Sequence, residues 1–222
     1  MFRKRLIEAL IAHNVDSADQ VLAEVLAVYT LETLALDIIS PTMHDIGEAW
    51  AEGRIGIATE HFATSHLRQH LLMWKRTSPP PYPTRPVVLA CAPGEWHEGS
   101  LLIMSLLLRR LRWPCIYLGP SVPLQDLAVF VGDMQPLAIV FVAMGRSAAL
   151  ELREWPSWIL GNLRSKKVIV TYGGRAFVED HSLIDLTPGK YIGPTLREGL
   201  EQIDVMLRDA VPNPAKGQTD DD

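Results

Sequence analysis

A chain of 222 residues holds one large domain or two modest ones, and 48% apolar against 21% charged residues supplies a sizeable core. The formal net charge of −5 excludes a self-sufficient nucleic-acid binder, because neutralising phosphates needs a surplus of Lys and Arg. Two cysteines, no secretory signal and no apolar run near ~20 residues lead to the expectation of a soluble cytoplasmic protein in a reducing compartment, with Cys91 and Cys115 as small core residues.

Residues 1–76 read as all-helical. Phe2, Leu6, Leu10 and Ile11 share one face of a first helix, and Asp16-Ser17 reads as the cap of a second, through Val21, Leu22, Val25 and Leu26. A third segment starts at Leu31, meets a break or kink at Ser40-Pro41, and resumes to Trp50. Glu52-Gly53 ends it, and Thr59 is the expected cap of a fourth helix, Glu60 to Lys75. Short links between four helices imply an antiparallel four-helix bundle.

Thr77-Ser-Pro-Pro-Pro-Tyr-Pro-Thr84 carries four prolines in eight residues, so 77–85 reads as an extended Pro-rich linker. From 86 to 210 strands and helices alternate. Strands are expected at Val87–Ala92, Cys115–Leu118, Ala138–Ala143, Val168–Tyr172 and Lys190–Ile192. Helices are expected at Gly99–Arg112, Leu124–Met134, around Ala148–Leu163 and at Leu196–Leu207. Nearly continuous apolar strands alternating with helices imply a doubly wound, Rossmann-like parallel sheet. Residues 211–222, with two prolines and three terminal aspartates, are expected to form a frayed acidic tail.

The chemistry concentrates at the end of the first of these strands. Glu95-Trp96-His97 follows Val87–Ala92 after a Pro-Gly break, in the crevice where open α/β sheets bind ligands. An imidazole there can offer one nitrogen to a metal while a carboxylate holds the other. Spacing alone favours a plainer role, a loop histidine that caps the next helix. Zinc would need three or four converging ligands, and no CxxC or HxxxH pair in this domain supplies them. One imidazole suffices if the metal arrives held by a macrocycle, as in haem or a corrin. No Gly-x-Ser-x-Gly elbow and no Gly-x-Gly-x-x-Gly fingerprint occurs. Gly173-Gly174, closing the fourth strand, lets a ligand approach the backbone, or is an ordinary turn.

A second constellation lies in the bundle. Trp50 ends one helix and Glu60-His61 begins the next, so the three can converge as a lid over a planar ligand. Periodicity alone favours Trp50 as a core anchor and Glu60 as a first-turn dipole partner. His66 and His70, at i and i+4, have metal-binding spacing, but no third ligand is evident in the sequence and they read as a polar face.

Taken together these residues resemble the cobalamin-binding, light-responsive regulators of the CarH/LitR type. Trp50, nine intervening residues and Glu60-His61 form one signature, with Ile46-Gly-Glu-Ala-Trp50 and Ala63-Thr-Ser-His-Leu-Arg68 around it. Glu95-x-His97, Tyr117-Leu-Gly-Pro120 and Gly173-Gly174 form the other. The resemblance covers roughly Leu31 to Leu207. It implies a bundle followed by a cobalamin-binding α/β domain, with adenosylcobalamin as cofactor and His97 as the lower axial ligand of cobalt, replacing the cofactor's benzimidazole. It further implies that Glu95 orients His97, that Trp96, Ser100, Val142, Met144, Gly173 and Gly174 lie along the cofactor, and that Trp50, Glu60 and His61 contact the upper ligand. The function implied is a sensor without enzymatic activity that reads light through cobalt–carbon photolysis. A corrinoid carrier of a methyltransferase system is the alternative, and a signalling domain whose site has decayed a third.

Departures from the family pattern are clear. Glu95 stands where Asp is usual, Ser100 where Gly is usual, and Val142-Ala-Met144 replaces Ser-x-Leu. Ala51 follows Trp50 where some relatives have a cobalt-capturing His, which points to a water-ligated photoproduct. The bundle starts near residue 2, with no MerR-type DNA-binding domain ahead of it. The expectation is therefore a sensor acting through a homodimer, a larger homo-oligomer or a protein partner, without nucleic acid or membrane. Trp74 and Trp96 permit a second, bilin chromophore.

Overall fold

The computed structural model describes residues 1–164, 168–212 and 214–216. The chain divides into two compact units, Met1–Arg76 and Thr77–Asp222.

The first unit is helical: α1 (Phe2–Ile11), α2 (Val15–Val28), α3 (Leu31–Thr33), a π-helical turn (Leu34–Ile39), α4 (Ser40–Ala51) and α5 (Ile57–Arg76). Leu6, Leu10, Leu22, Val25, Leu34, Ile39, Ile46, Leu67 and Leu71 fill its core. Two expected caps are corrected. Asn14, not Asp16-Ser17, caps α2, its side chain accepting from the Ser17 N–H at 3.0 Å. Thr59 lies inside the first turn of α5, where its hydroxyl meets His13 Nε2 at 2.9 Å. Of the break or kink expected at Ser40-Pro41, the break is absent, and the irregularity is a π turn just ahead of it. A proline lacks an N–H and crowds the carbonyl four residues back, and the wider π turn just before it removes both conflicts without ending the helix.

The second unit contains a five-stranded, all-parallel sheet: β1 (Val87–Cys91), β2 (Cys115–Gly119), β3 (Ala138–Val142), β4 (Ile169–Gly173) and β5 (Lys190–Tyr191), in the order β2-β1-β3-β4-β5. The helices are α6 (Gly99–Arg110), α7 (Leu124–Met134), α8 (Arg146–Glu151), α9 (Trp155–Ile159), α10 (Arg175–Glu179), α11 (Ser182–Leu186) and α12 (Leu196–Ala210). One face of the sheet, through Val88, Ala90, Ile139, Phe141, Val170 and Tyr172, packs on α7, α9 and Phe177 of α10. The helices α6 and α12 pack together and on the sheet, and every residue of α6 from Leu101 to Leu108 is buried. The helical stretch expected around 148–163 is made of α8 and α9, linked and followed by 3₁₀ turns, with Pro156 in the first turn of α9. A proline fits a helix start and not its interior, so the segment restarts there.

The Pro-rich stretch lies against the sheet unit. Tyr82 N–H donates to Arg112 O at 2.7 Å, Arg112 Nε donates to Pro80 O at 3.0 Å, and Tyr82 packs edge-on to Trp113. Of the expected tail, Val211 is buried and Pro214–Lys216 forms a 3₁₀ turn, while 213 and 217–222 lie outside the described residues. Among the described residues no helix is long and apolar enough to cross a membrane.

Candidate functional site

The strand order reverses between β1 and β3, so the loops leaving their C-terminal ends straddle the crevice where doubly wound sheets bind ligands. Glu95 spans it. Its carboxylate is only 3% exposed. Oε1 accepts the main-chain N–H of His97 at 2.8 Å and faces His97 Nδ1 at 2.7 Å; Oε2 accepts the N–H groups of Met144 and Gly145 at 2.6 and 3.1 Å. Burial raises the Glu95 carboxyl, but the N–H groups of His97, Met144 and Gly145 and the imidazole together hold it below the usual carboxylate range. A charged acceptor against Nδ1 keeps the proton there, which leaves Nε2 with a free lone pair. The His97 side chain is 75% exposed. It is an oriented imidazole turned toward solvent, which is the chemistry a metal ligand requires.

The backbone around it is pinned from three sides. Glu95 N–H donates to Ala92 O, Ser121 N–H donates to Glu95 O at 2.8 Å, and the Ser121 hydroxyl accepts from Gly94 N–H. Beside this loop Tyr117 donates its hydroxyl to Glu98. Gly174 follows β4 at φ +118°, and a Cβ there would stand 2.2 Å from Ala143 O. Only glycine fits that position. Arg175 N–H reaches Met144 Sδ at 3.4 Å, and Arg146 pairs with Asp180.

The structure thus brings Glu95, His97 and Met144 into one network, with Gly173-Gly174 on the neighbouring strand end. Val142 is buried at the end of β3, its carbonyl accepting from Ala92 N–H. Ser100 sits in the first turn of α6, its Oγ buried without a hydrogen-bond partner. Trp96 is 71% exposed.

In the helical unit Glu60 accepts from the Thr64 hydroxyl at 2.7 Å and holds His61 Nδ1 at 2.5 Å. Trp50, in the last turn of α4, is 45% exposed. The core-anchor role that periodicity favours for it is therefore wrong. So is the view of His66 and His70 as a polar face lacking a third ligand: Asp19 on α2 brings Oδ1 to 3.0 and 2.9 Å from their Nε2 atoms. No local motif announces Asp19, because α2 and α5 meet only in the fold. The donors from Met144 and Gly145 escape sequence reading too, since main-chain N–H groups carry no residue signature.

The chain is a helical unit followed by a doubly wound domain that carries a histidine at its switch point, and its fold is similar to that of a solved corrinoid protein. The monomethylamine corrinoid protein of Methanosarcina barkeri superimposes with a TM-score of 0.66 at 17% identity, over 90% of this chain and 96% of that one. Residues 2–72 match the family model of the B12 binding domain. Two curated relatives from Myxococcus xanthus are similar in sequence. The HTH-type transcriptional repressor CarH is 33% identical over 135 residues, 61% of this chain and 45% of the repressor. The HTH-type transcriptional repressor CarA is 29% identical over 143 residues, 63% of this chain and 48% of the repressor. The chain spans about half the length of the curated relatives it matches. The structural likeness shows the fold, and the family-model match lies within the helical unit.

Proposed function

We propose that this chain is a cobalamin-binding photosensory regulator. The observation that carries the reading is the Glu95–His97 pair, a buried carboxylate fixing the tautomer of an exposed imidazole. Bound adenosylcobalamin supplies a cobalt–carbon bond that visible light breaks. His97 Nε2 would be the nitrogen that ligates cobalt, in place of the cofactor's benzimidazole, and Glu95 would orient that ring by holding the proton on Nδ1. Ser100, whose hydroxyl is unpaired, would face the displaced nucleotide tail, Met144 and the Gly173-Gly174 backbone would line its path, and Val142 would contribute buried apolar surface. Trp50 would pack against the adenosyl group, and Glu60 and His61 would bind its polar edge. Residues that contact the upper ligand in only one state bias a two-state equilibrium, read out as a change in domain packing, oligomer or partner interface. Ala51 places no imidazole directly after Trp50, so capture of cobalt through that position is not part of the reading.

The fold is equally that of a corrinoid carrier of a methyltransferase system, so the choice rests on Trp50, Glu60 and His61. An exposed indole at the end of α4 and a Glu60-His61 pair at the start of α5 would suit capture of a bulky adenosyl group better than an open path for methyl donors. The test is the absorption spectrum of the chain loaded with adenosylcobalamin in the dark, before and after green illumination. A light-induced change lost in His97→Ala is expected. No change, together with methyl transfer from methylcobalamin to a partner enzyme, would favour the carrier.

A further inference from the structure

The helical unit holds a second cluster that corrinoid chemistry does not use. His66 and His70 stand one turn apart on α5, ring centroids 4.9 Å apart, and both aim Nε2 at the same Asp19 Oδ1 from α2. Both imidazoles are largely buried while Asp19 is half-exposed. Phe62 stacks near His66 and Trp74 packs near His70, which limits the freedom of either ring. Two imidazole nitrogens crowd one carboxylate oxygen: His70 Nε2 bonds Asp19 Oδ1 at 2.9 Å, and the buried His66 Nε2 lies 3.0 Å from the same atom. Three ligand-type atoms from two helices drawn to one point are what a shared ion would organise.

We propose that Asp19, His66 and His70 bind a divalent first-row transition-metal ion of the zinc class, clipping α2 to α5. Two imidazoles and a carboxylate suit Zn²⁺ and its neighbours and disfavour Mg²⁺ or Ca²⁺, which take oxygen ligands. Bonds of about 2.0–2.1 Å in a tetrahedron place ligand atoms roughly 3.3 Å apart. The observed 3.0 and 2.9 Å therefore need an opening of only a few tenths of an ångström, which a half-exposed carboxylate supplies. Three protein ligands leave the fourth position to water. The site is independent of the corrinoid reading.

The test uses the full chain, untagged and free of corrinoid, stripped with EDTA and titrated with Zn²⁺ against a chromogenic zinc chelator. One equivalent per chain is expected, with a raised thermal unfolding midpoint. His66→Gln and His70→Gln should each weaken uptake at least about tenfold, the lower bound for loss even of an outer-shell partner. Asp19→Ala, at a half-exposed position that leaves the core intact, should do the same and carries the test if a histidine variant fails to fold. His97→Ala should retain the equivalent. Absence of uptake, uptake unchanged in Asp19→Ala, or uptake lost in His97→Ala would overturn the proposal.

Discussion

Glu95 Oε1 receives both the main-chain N–H and the imidazole Nδ1 of His97, at 2.8 and 2.7 Å, so one buried oxygen fixes the backbone and the ring of the same residue. Its other oxygen ties this loop to the one after β3. Glu95→Ala strands three N–H groups and should cost about 3 kcal/mol of folding stability by urea denaturation, with Glu95→Gln, which keeps one acceptor oxygen, losing less. Corrinoid affinity of the Gln variant should fall by roughly 10–100-fold.

His97→Ala is expected to behave oppositely. The ring is mostly exposed, so stability should move by less than about 0.5 kcal/mol, while the light-induced spectral change disappears. Denaturation and illuminated spectra of the same sample separate the two roles.

Trp50→Ala should likewise spare the fold, since the indole is half-exposed and not part of the core. The dark spectrum with adenosylcobalamin should still show His97 ligation, while retention of the upper ligand weakens. An unchanged affinity for adenosyl- relative to aquocobalamin would remove Trp50 from the site.

Gly174→Ala should destabilise by about 3 kcal/mol, because its φ of +118° disfavours a side chain and the added Cβ meets Ala143 O at 2.2 Å. Gly145→Ala, with nothing within 4 Å of the added carbon, should be close to neutral in the same assay.

The Cys91 thiol is pushed up to about 12 by burial and by Glu95 and Glu98. At pH 8 its thiolate fraction is then roughly one in ten thousand, and a chromogenic disulfide should label it only on unfolding. Because the folded value lies above the ordinary 9.0, this group's stabilising contribution is complete below pH 9 and is lost as pH rises from 9 toward 12. A falling denaturation midpoint across that range, absent in Cys91→Ala, checks the sign.

Much of the fold is legible in the sequence because the strands of the second unit are apolar runs bounded by breakers. Leu124–Met134 stands as read, and the strand ends shift by only a residue or two. The short helices α10 and α11 pass unread, since five residues carry less than two turns of periodicity. Glu95 and His97 are legible from spacing at a strand end. Exposure of Trp50 is not, because the same indole at the same helical phase suits core or surface equally. Asp19 marks the limit more sharply: it lies 47 positions before His66, and only the tertiary meeting of α2 and α5 unites them.

The π turn ahead of Pro41 acts as a one-residue insertion in an otherwise regular helix. Each residue advances an α-helix by about 100°. Shortening Leu34–Ile39 by a single position would therefore rotate everything downstream by more than a quarter revolution and swing Trp50 to a different side of α4. The bearing of the indole is thus dictated a dozen residues upstream, by a loose coil that tolerates an imino acid.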